Sequence, residues 1–231
     1  MEKMKFISRV KEELKRTNFV NNAFVFLEEN YICKEFHGAA KYGESINEFY
    51  SIEEKSQIGV QLSAKIFSAF YSFLKYEANL FFERNESFLR VVTERNIHEN
   101  ESYDLILKDI TTNEIEKFEI KLSQNQNSWQ GSTSSTNKVK YYLLFNFEID
   151  RDLKLNEGNN KGFFKSVFTC LVDLSNQTWS GEAKNNSHRT KFDFRISDWS
   201  IDFLRKECII LGDMVAAKSI YHLVKEQLNY E

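Results

Sequence analysis

A chain of 231 residues with 42% hydrophobic and 28% charged residues has the composition of a globular protein with a buried core. Its net charge of −3 disfavours a protein that coats nucleic acid nonspecifically, although a local basic cleft remains compatible with it. No apolar run approaches the ~20 residues of a membrane span, and the first residues lack the apolar core of a signal peptide. Cys33, Cys170 and Cys208 lie far apart without a CxxC motif, so we expect reduced thiols, no zinc site and a cytoplasmic location.

The first third of the chain has apolar residues at the three- and four-residue spacing that is typical of helices. This spacing predicts a helix over 2–16 and a second over about 19–31. Residues 36–50 contain two glycines and are expected to form a loop. The apolar period of 52–84 predicts one long helix or two adjoining helices.

The period then changes to the alternation that is typical of strands. Strands are predicted over 87–94, 103–109, 116–123, 138–149 and 163–175, and shorter ones over 178–186 and 191–197. The sequence TTNE at 111–114 predicts a turn, and Ser197 is a candidate N-cap of one of the helices that close the chain. This order predicts a single domain over 1–231 of layered α/β (α+β) class, with a central mixed sheet flanked by helices.

One predicted hairpin combines charged residues in a pattern that suits metal-dependent chemistry. Asp104 stands at the head of the strand over 103–109, and Glu119 and Lys121 alternate with apolar residues in the next strand. Alternate residues of a strand share a face, so Glu119 and Lys121 point the same way. Two carboxylates with water suit Mg²⁺, and a nearby lysine can hold the attacking water of a phosphodiester hydrolysis. The alternative is an ordinary solvated strand face.

Three other E-x-K sequences occur, but their contexts differ from that of Glu119-Ile120-Lys121. Glu13-Leu14-Lys15 and Glu53-Glu54-Lys55 lie in predicted helices or helix starts, where a spacing of two places side chains on different faces. Glu182-Ala183-Lys184 lies in a polar stretch. The hairpin is therefore the E-x-K sequence in this chain that combines a strand with a preceding acidic strand head.

Asp104, fourteen intervening residues and then Glu119-Ile120-Lys121, in a hairpin that follows a long helix, resemble the PD-(D/E)xK nuclease superfamily. The resemblance covers roughly 52–147, and Tyr103 replaces the proline that the family places before its aspartate. The polar stretch after the E-x-K strand, followed by another core strand, is similar to type II restriction endonucleases. The resemblance implies a restriction-endonuclease-like fold.

The same resemblance implies an activity and a set of roles. The protein would be a bacterial or archaeal homodimer that uses Mg²⁺ to cut double-stranded DNA at a short specific site, leaving 5′-phosphate and 3′-hydroxyl ends. Asp104, Glu119 and Lys121 would be catalytic, and Asp104, Glu119 and Ile120 would form the metal site. A cognate DNA methyltransferase acting on the same site is also implied.

Many members of this group add an acidic residue from the helix that precedes the sheet. The candidates here are Glu53 and Glu54 at the helix start, Glu77 further along, and Gln61 as a neutral substitute. Each of them is better explained as a solvated helix residue, and the sequence does not choose among them.

Two polar segments are candidates for DNA contact. Amides pair with adenine in the major groove, and basic residues contact phosphates or guanine. The first segment, within 123–138, contributes Gln124, Asn125, Gln126, Asn127, Trp129, Gln130 and Ser132. The second contributes Lys184, Asn185, Asn186, His188, Arg189 and Lys191. The alternatives are a flexible polar linker and an ordinary charged hairpin.

Other catalytic motifs are not found. The four histidines show no metal-binding spacing, and the sequence contains no GxSxG, GxGxxG or Walker motif, so a nucleotide cofactor is not expected. Two further functions remain open: a repair or junction-resolving nuclease of the same superfamily, and a non-catalytic protein that binds nucleic acid.

Overall fold

Seven helices precede the sheet in the computed structural model, which describes residues 5–92, 103–124, 128–132, 139–173, 191–195 and 209–211. The helices are α1 (Phe6–Arg16), α2 (Phe19–Asn30), α3 (Ile32–Glu35), α4 (His37–Tyr42), α5 (Ile46–Phe49), α6 (Ile52–Tyr76) and α7 (Ala78–Arg84). The predicted helices over 2–16 and 19–31 are confirmed for their described residues. Of the two alternatives for 52–84, the structure has the pair of adjoining helices.

The strands are β1 (Leu89–Val91), β2 (Leu105–Asp109), β3 (Ile115–Gln124), β4 (Ser128–Ser132), β5 (Tyr141–Ile149), β6 (Phe164–Asp173), β7 (Lys191–Arg195) and β8 (Ile209–Leu211). Six of them form a sheet in the order β1-β2-β3-β5-β6-β8, and β4 pairs with β7 in a separate two-stranded sheet. The larger sheet is mixed, because β3 and β5 are parallel whereas its other neighbouring strands are antiparallel. The described residues therefore form an α+β structure with a mixed sheet.

The predicted loop over 36–50 was wrong, because these residues contain α4 and α5. Ser45 begins α5 with a capping box, in which its hydroxyl accepts from Glu48 N while the Glu48 carboxylate accepts from Ser45 N. Gly43 ends α4 in the left-handed conformation at φ 68°, which glycine adopts without steric cost. At Gly38 a Cβ would lie 2.5 Å from the Phe49 ring. The two glycines thus permit helical packing rather than interrupting it.

Two of the strands were not predicted from the sequence. β4 lies inside the polar segment over 123–138, for which no strand was predicted, and β8 lies where no strand was expected. The turn over 111–114 and the strands on either side of it are confirmed. The predicted strand over 178–186, Ser197, Cys208 and the closing helix over 219–228 lie outside the described residues.

One face of the six-stranded sheet packs against the helices. Phe24 of α2 and Phe70 of α6 have ring centroids 5.7 Å apart, and both approach Phe145 of β5, at 5.9 and 4.9 Å. All three side chains are almost fully buried, as are Phe118 and Ile120 of β3 on the same face. Burial of aromatic side chains at these offset geometries is a main source of stability in such cores.

The β2–β3 hairpin is fastened to the first helix at its turn. Asp109 is fully buried and forms an ion pair with Arg9 of α1, whose guanidinium also lies over the Phe88 ring at 5.1 Å. Asp109 Oδ1 accepts hydrogen bonds from Thr111 N at 2.7 Å, from Thr111 Oγ1 at 2.6 Å and from Thr112 N at 3.1 Å. These contacts set the turn, and the turn sets the register of the two strands.

Cys33 and Cys170 carry thiols rather than disulfides, as expected for the described cysteines. Among the helices that the structure describes, none combines the length and the apolarity needed to cross a bilayer.

Candidate active site on the second face of the sheet

The pairing of strands brings Asp104, Glu119 and Lys121 to one face. Leu105 pairs with Phe118 across the β2–β3 ladder, and Asp104 N donates to Phe118 O at 3.0 Å. Because the strands are antiparallel, the residue before Leu105 faces the residue after Phe118, so Asp104 stands opposite Glu119. Phe118 and Ile120 belong to the helix-facing side, so Glu119 and Lys121 lie on the second side of the sheet.

Asp104 is bound directly to the backbone of the E-x-K sequence. Its Oδ2 accepts a hydrogen bond from Ile120 N at 2.9 Å, and its side chain is half-buried. Burial raises the pKa of the Asp104 carboxyl above its ordinary value, and the Ile120 N–H and the positive charge of Lys121 counteract part of that rise. A carboxylate in this position gains from any further positive charge that approaches it.

Glu119 and Lys121 form an ion pair on the same strand. The Lys121 ammonium donates to Glu119 Oε1, and Glu119 is only 6% exposed whereas the Lys121 side chain is 23% exposed. Because the lysine reaches both solvent and a buried carboxylate, it holds positive charge at the margin of the site. This charge also acts on Asp104.

Tyr142 is a member of the site that the sequence did not indicate. It pairs with Glu119 across the parallel β3–β5 ladder and is fully buried. Burial raises the pKa of the Tyr142 hydroxyl, and the negative charges of Glu119 and Asp104 raise it further. The phenol therefore stays protonated. The register between β3 and β5 depends on tertiary structure, so no local pattern could have identified this residue.

The donor set fits a hard cation such as Mg²⁺. Asp104 and Glu119 supply carboxylate oxygens, and Mg²⁺ usually takes one or two carboxylates from a protein and fills its other positions with water and phosphate oxygens. Within a strand, the N–H and C=O of one residue point to the same side, so the Ile120 carbonyl faces the side of Asp104. Among the described residues, no group of three or more His, Cys, Asp or Glu side chains could hold a metal ion, so two carboxylates are what the site offers.

The helix residues that were candidates for a third acidic ligand have other environments. Glu54 closes the capping box of α6 by accepting from Ser51 N at 2.8 Å, and Glu53 is exposed. Glu77 lies between α6 and α7, where its charge contributes to the raised pKa of Tyr31. None of the three is among the groups that shift the pKa of Asp104. The Gln61 side chain lies outside the described part of the chain.

The two segments proposed to contact DNA meet in the β4–β7 pair. Ser132 pairs with Lys191, and Trp129 pairs with Phe194. Gln124 ends β3, and β4 contacts β3, so the pair lies next to the strand that carries Glu119. The remaining candidates lie outside the described residues: Asn125, Gln126, Asn127, Lys184, Asn185, Asn186, His188 and Arg189.

Comparison of the chain with models of known protein families gives no match, and comparison with curated proteins gives no relative. The candidate function therefore follows from the chemistry of four side chains: Asp104, Glu119, Lys121 and Tyr142.

Proposed function

We propose that the protein is a type II restriction endonuclease of the PD-(D/E)xK superfamily, which hydrolyses double-stranded DNA at a specific site with Mg²⁺. One observation carries the proposal: Asp104 is hydrogen-bonded to the backbone of Glu119-Ile120-Lys121, and the three charged side chains share one sheet face. A solvated strand face would not bury Glu119 to 6% exposure or place Asp104 where burial raises its pKa.

Each residue of the site would have a separate role in the reaction. Asp104, Glu119 and the Ile120 carbonyl would hold the cation, which would polarise the scissile phosphate and offset the charge that develops on it. Lys121 supplies a further positive charge and a donor that orients the attacking water. The water oxygen forms the new bond to phosphorus and gives up a proton. The 3′ oxygen leaves and takes up a proton, which yields 5′-phosphate and 3′-hydroxyl ends.

A restriction role also implies an oligomeric state, a cellular location and a second enzyme. We propose a homodimer, so that two sites cut the two strands of a symmetric DNA sequence, in the cytoplasm of a bacterium or archaeon. A cognate methyltransferase would act on the same sequence to protect host DNA, without a need to bind this protein.

The test is incubation of the purified protein with plasmid and phage DNA, with Mg²⁺ or with EDTA, beside Lys121→Ala. Lys154→Ala is the control, because the Lys154 side chain is 71% exposed and pairs with Glu48 of α5. The expected result is a set of discrete bands that require Mg²⁺, persist in Lys154→Ala and vanish in Lys121→Ala. Circular dichroism of both variants checks that each is folded.

Other outcomes contradict the proposal in distinguishable ways. A Mg²⁺-dependent smear, or cutting of branched DNA alone, would identify a repair or junction-resolving nuclease. No cleavage of unmethylated, methylated or branched DNA would leave a non-catalytic protein that binds nucleic acid.

A further inference from the structure

The Lys121 ammonium pairs with a carboxylate that the proposed cation also needs. It donates to Glu119 Oε1, and Glu119 is one of the two carboxylates of the site. The positive charge of Lys121 also acts on Asp104, which is the other carboxylate. A single ammonium therefore offsets negative charge on both carboxylates, which is the electrostatic task of a divalent cation at such a site.

Burial increases the need of Glu119 for a positive partner. The Glu119 side chain is only 7% exposed, and a buried carboxylate costs free energy unless positive charge and hydrogen bonds compensate it. Lys121 lies two residues further along β3 on the same face, so its long side chain reaches back along the strand to this carboxylate. The compensation thus comes from within one strand.

The two members of this ion pair differ in their freedom to move. Glu119 lies between Phe118 and Ile120, whose side chains are fixed in the helix-facing core. It also pairs with the buried Tyr142 across the β3–β5 ladder. The Lys121 side chain is 23% exposed and has a flexible four-carbon stem, so it can turn toward solvent while the carboxylate stays in place. A change of partner at this carboxylate is therefore made by the lysine.

We propose that Lys121 and the divalent cation compete for Glu119, so that Lys121 holds this carboxylate until the cation binds and is then released toward the DNA backbone. The inference rests on the proposed function, because it assigns the regulation of the same site. No covalent bond forms or breaks in the exchange. The ammonium keeps its three protons and moves from a carboxylate to solvent, where a phosphate oxygen is a suitable next acceptor.

The exchange links release of the lysine to binding of the cation. While Lys121 is paired with Glu119, a carboxylate engages one of its donors and offsets its charge. After release, the same ammonium can orient the attacking water and offset charge that develops on the phosphate. The donor that the reaction needs therefore becomes available when the cation that the reaction needs is bound.

The first test follows the Lys121 amine in the parent protein without DNA. The protein is acylated with acetic anhydride at constant pH, in EDTA and at rising Mg²⁺ concentrations, and mass spectrometry measures the labelling of each lysine. An ammonium paired with a buried carboxylate is a poor target, so labelling of Lys121 is expected to rise severalfold with Mg²⁺. Lys154 is the control, because its side chain is 71% exposed and its labelling should stay constant. Labelling of Lys121 that does not respond to Mg²⁺ would overturn the inference.

The second test measures Mg²⁺ binding by calorimetry to the parent, Lys121→Met and Lys121→Arg. Methionine keeps most of the stem and removes the charge, so Mg²⁺ is expected to bind at least about tenfold more tightly, because a nearby positive charge no longer opposes it. Arginine keeps the charge and binds carboxylates in a bidentate manner, so Mg²⁺ should bind no more tightly than to the parent. Equal or weaker binding of Mg²⁺ to Lys121→Met would show that the lysine does not compete.

Thermal denaturation separates competition from loss of folding. In EDTA, Lys121→Met is expected to melt at a lower temperature than the parent, because the buried Glu119 loses this positive partner. Saturating Mg²⁺ should return its melting temperature to near that of the parent, since a ligand that binds the folded form stabilises it. Lys154→Met should match the parent in both conditions. A deficit in Lys121→Met that Mg²⁺ does not reduce would contradict the exchange.

These outcomes are distinct from those of the cleavage assay. Release of Lys121 by Mg²⁺ in a protein that cuts no DNA would retain the exchange and reject the nuclease. Site-specific cleavage by a protein whose Lys121 labelling ignores Mg²⁺ would do the reverse. Mg²⁺ that binds neither to the parent nor to Lys121→Met would reject both.

Discussion

Asp104 and Ile120 are joined by a hydrogen bond of 2.9 Å, from the backbone N–H of Ile120 to Asp104 Oδ2. Because Ile120 is the central residue of the Glu-Ile-Lys sequence, this bond holds the carboxylate at the head of β2 at a fixed place relative to Glu119 and Lys121. Ile120 itself is anchored by its side chain, which is buried among the helices. The core of the protein thus positions a polar cluster on the opposite side of the sheet.

The Asp104→Asn variant is expected to be inactive. An asparagine oxygen still accepts from Ile120 N, but it removes the negative charge that would hold the cation. We expect DNA cleavage to fall by at least about 100-fold. Measured initial rates on plasmid DNA at saturating Mg²⁺ check this, and a rate within threefold of the parent would contradict it.

The same variant is expected to be more stable than the parent at neutral pH. Burial raises the pKa of Asp104 above its ordinary value in the folded protein, so folding with a charged Asp104 costs free energy relative to the unfolded chain. The stability contributed by this group is full below the unfolded pKa and is lost as pH rises through the folded pKa. Replacing the charged group should raise the free energy of unfolding at pH 7.5 by about 0.5–2 kcal/mol.

Urea denaturation at pH 7.5 and at pH 4 measures this difference. The advantage of the asparagine variant should shrink as pH falls and the Asp104 carboxyl of the parent takes up its proton. A variant that is less stable than the parent at pH 7.5 would contradict the assignment.

Tyr142→Phe is expected to weaken binding of Mg²⁺ more than it slows the reaction at saturation. The hydroxyl is buried and close enough to Glu119 and Asp104 that their charges raise its pKa, so its removal alters their surroundings. Groups next to metal ligands typically affect metal affinity by about 10- to 100-fold. The measurement is the cleavage rate as a function of Mg²⁺ concentration.

Tyr141→Phe is the matched control for that prediction. Tyr141 lies one residue earlier on the other face of β5, with its ring 6.0 Å from Phe118. Its Mg²⁺ dependence is expected to match that of the parent. An equal shift in both variants would show that the effect comes from the strand as a whole.

Arg9→Ala is expected to destabilise the fold by about 3 kcal/mol, because it leaves the fully buried Asp109 without its charged partner. The expected result in thermal denaturation is a clear fall in melting temperature, together with reduced cleavage because the hairpin turn loosens. Lys154→Ala removes an exposed ion pair and should leave the melting curve unchanged. Similar melting curves for the two variants would contradict the anchoring role of Asp109.

Thr169→Val is expected to stabilise the protein by about 1 kcal/mol. The Thr169 side chain is fully buried, and its hydroxyl has no hydrogen-bond partner among the described residues. Valine has nearly the same shape and removes the cost of burying that group. Thr17→Val is the control, because buried Thr17 donates to Glu13 O at 2.8 Å, and its loss should destabilise by a similar amount. Urea denaturation of both variants checks the opposite signs.

Local patterns alone were enough to predict the hairpin. Alternation over 103–109 and 116–123, with TTNE between them, indicates two paired strands, and the pairing follows from the short turn. The place of Asp104 opposite Glu119 is a consequence of that register. Helix positions were predicted for the same reason, since the spacing of apolar residues is a property of neighbouring residues.

Local sequence patterns could not predict contacts between segments that are distant in the chain. Tyr142 joins the site through the parallel pairing of β3 and β5, and β4 becomes a strand through its pairing with β7, about sixty residues away. The glycines of 36–50 indicated a loop because glycine is conformationally permissive. The sequence does not show that the Phe49 ring packs against Gly38, which is the reason for a glycine there. By itself, the sequence determined that Glu119 and Lys121 share a strand face opposite to the apolar residues, and it identified Asp104, Glu119 and Lys121 as the candidates for metal-dependent chemistry. The tertiary structure decided which side chains surround them, because burial and strand neighbours depend on segments that are far apart in the chain.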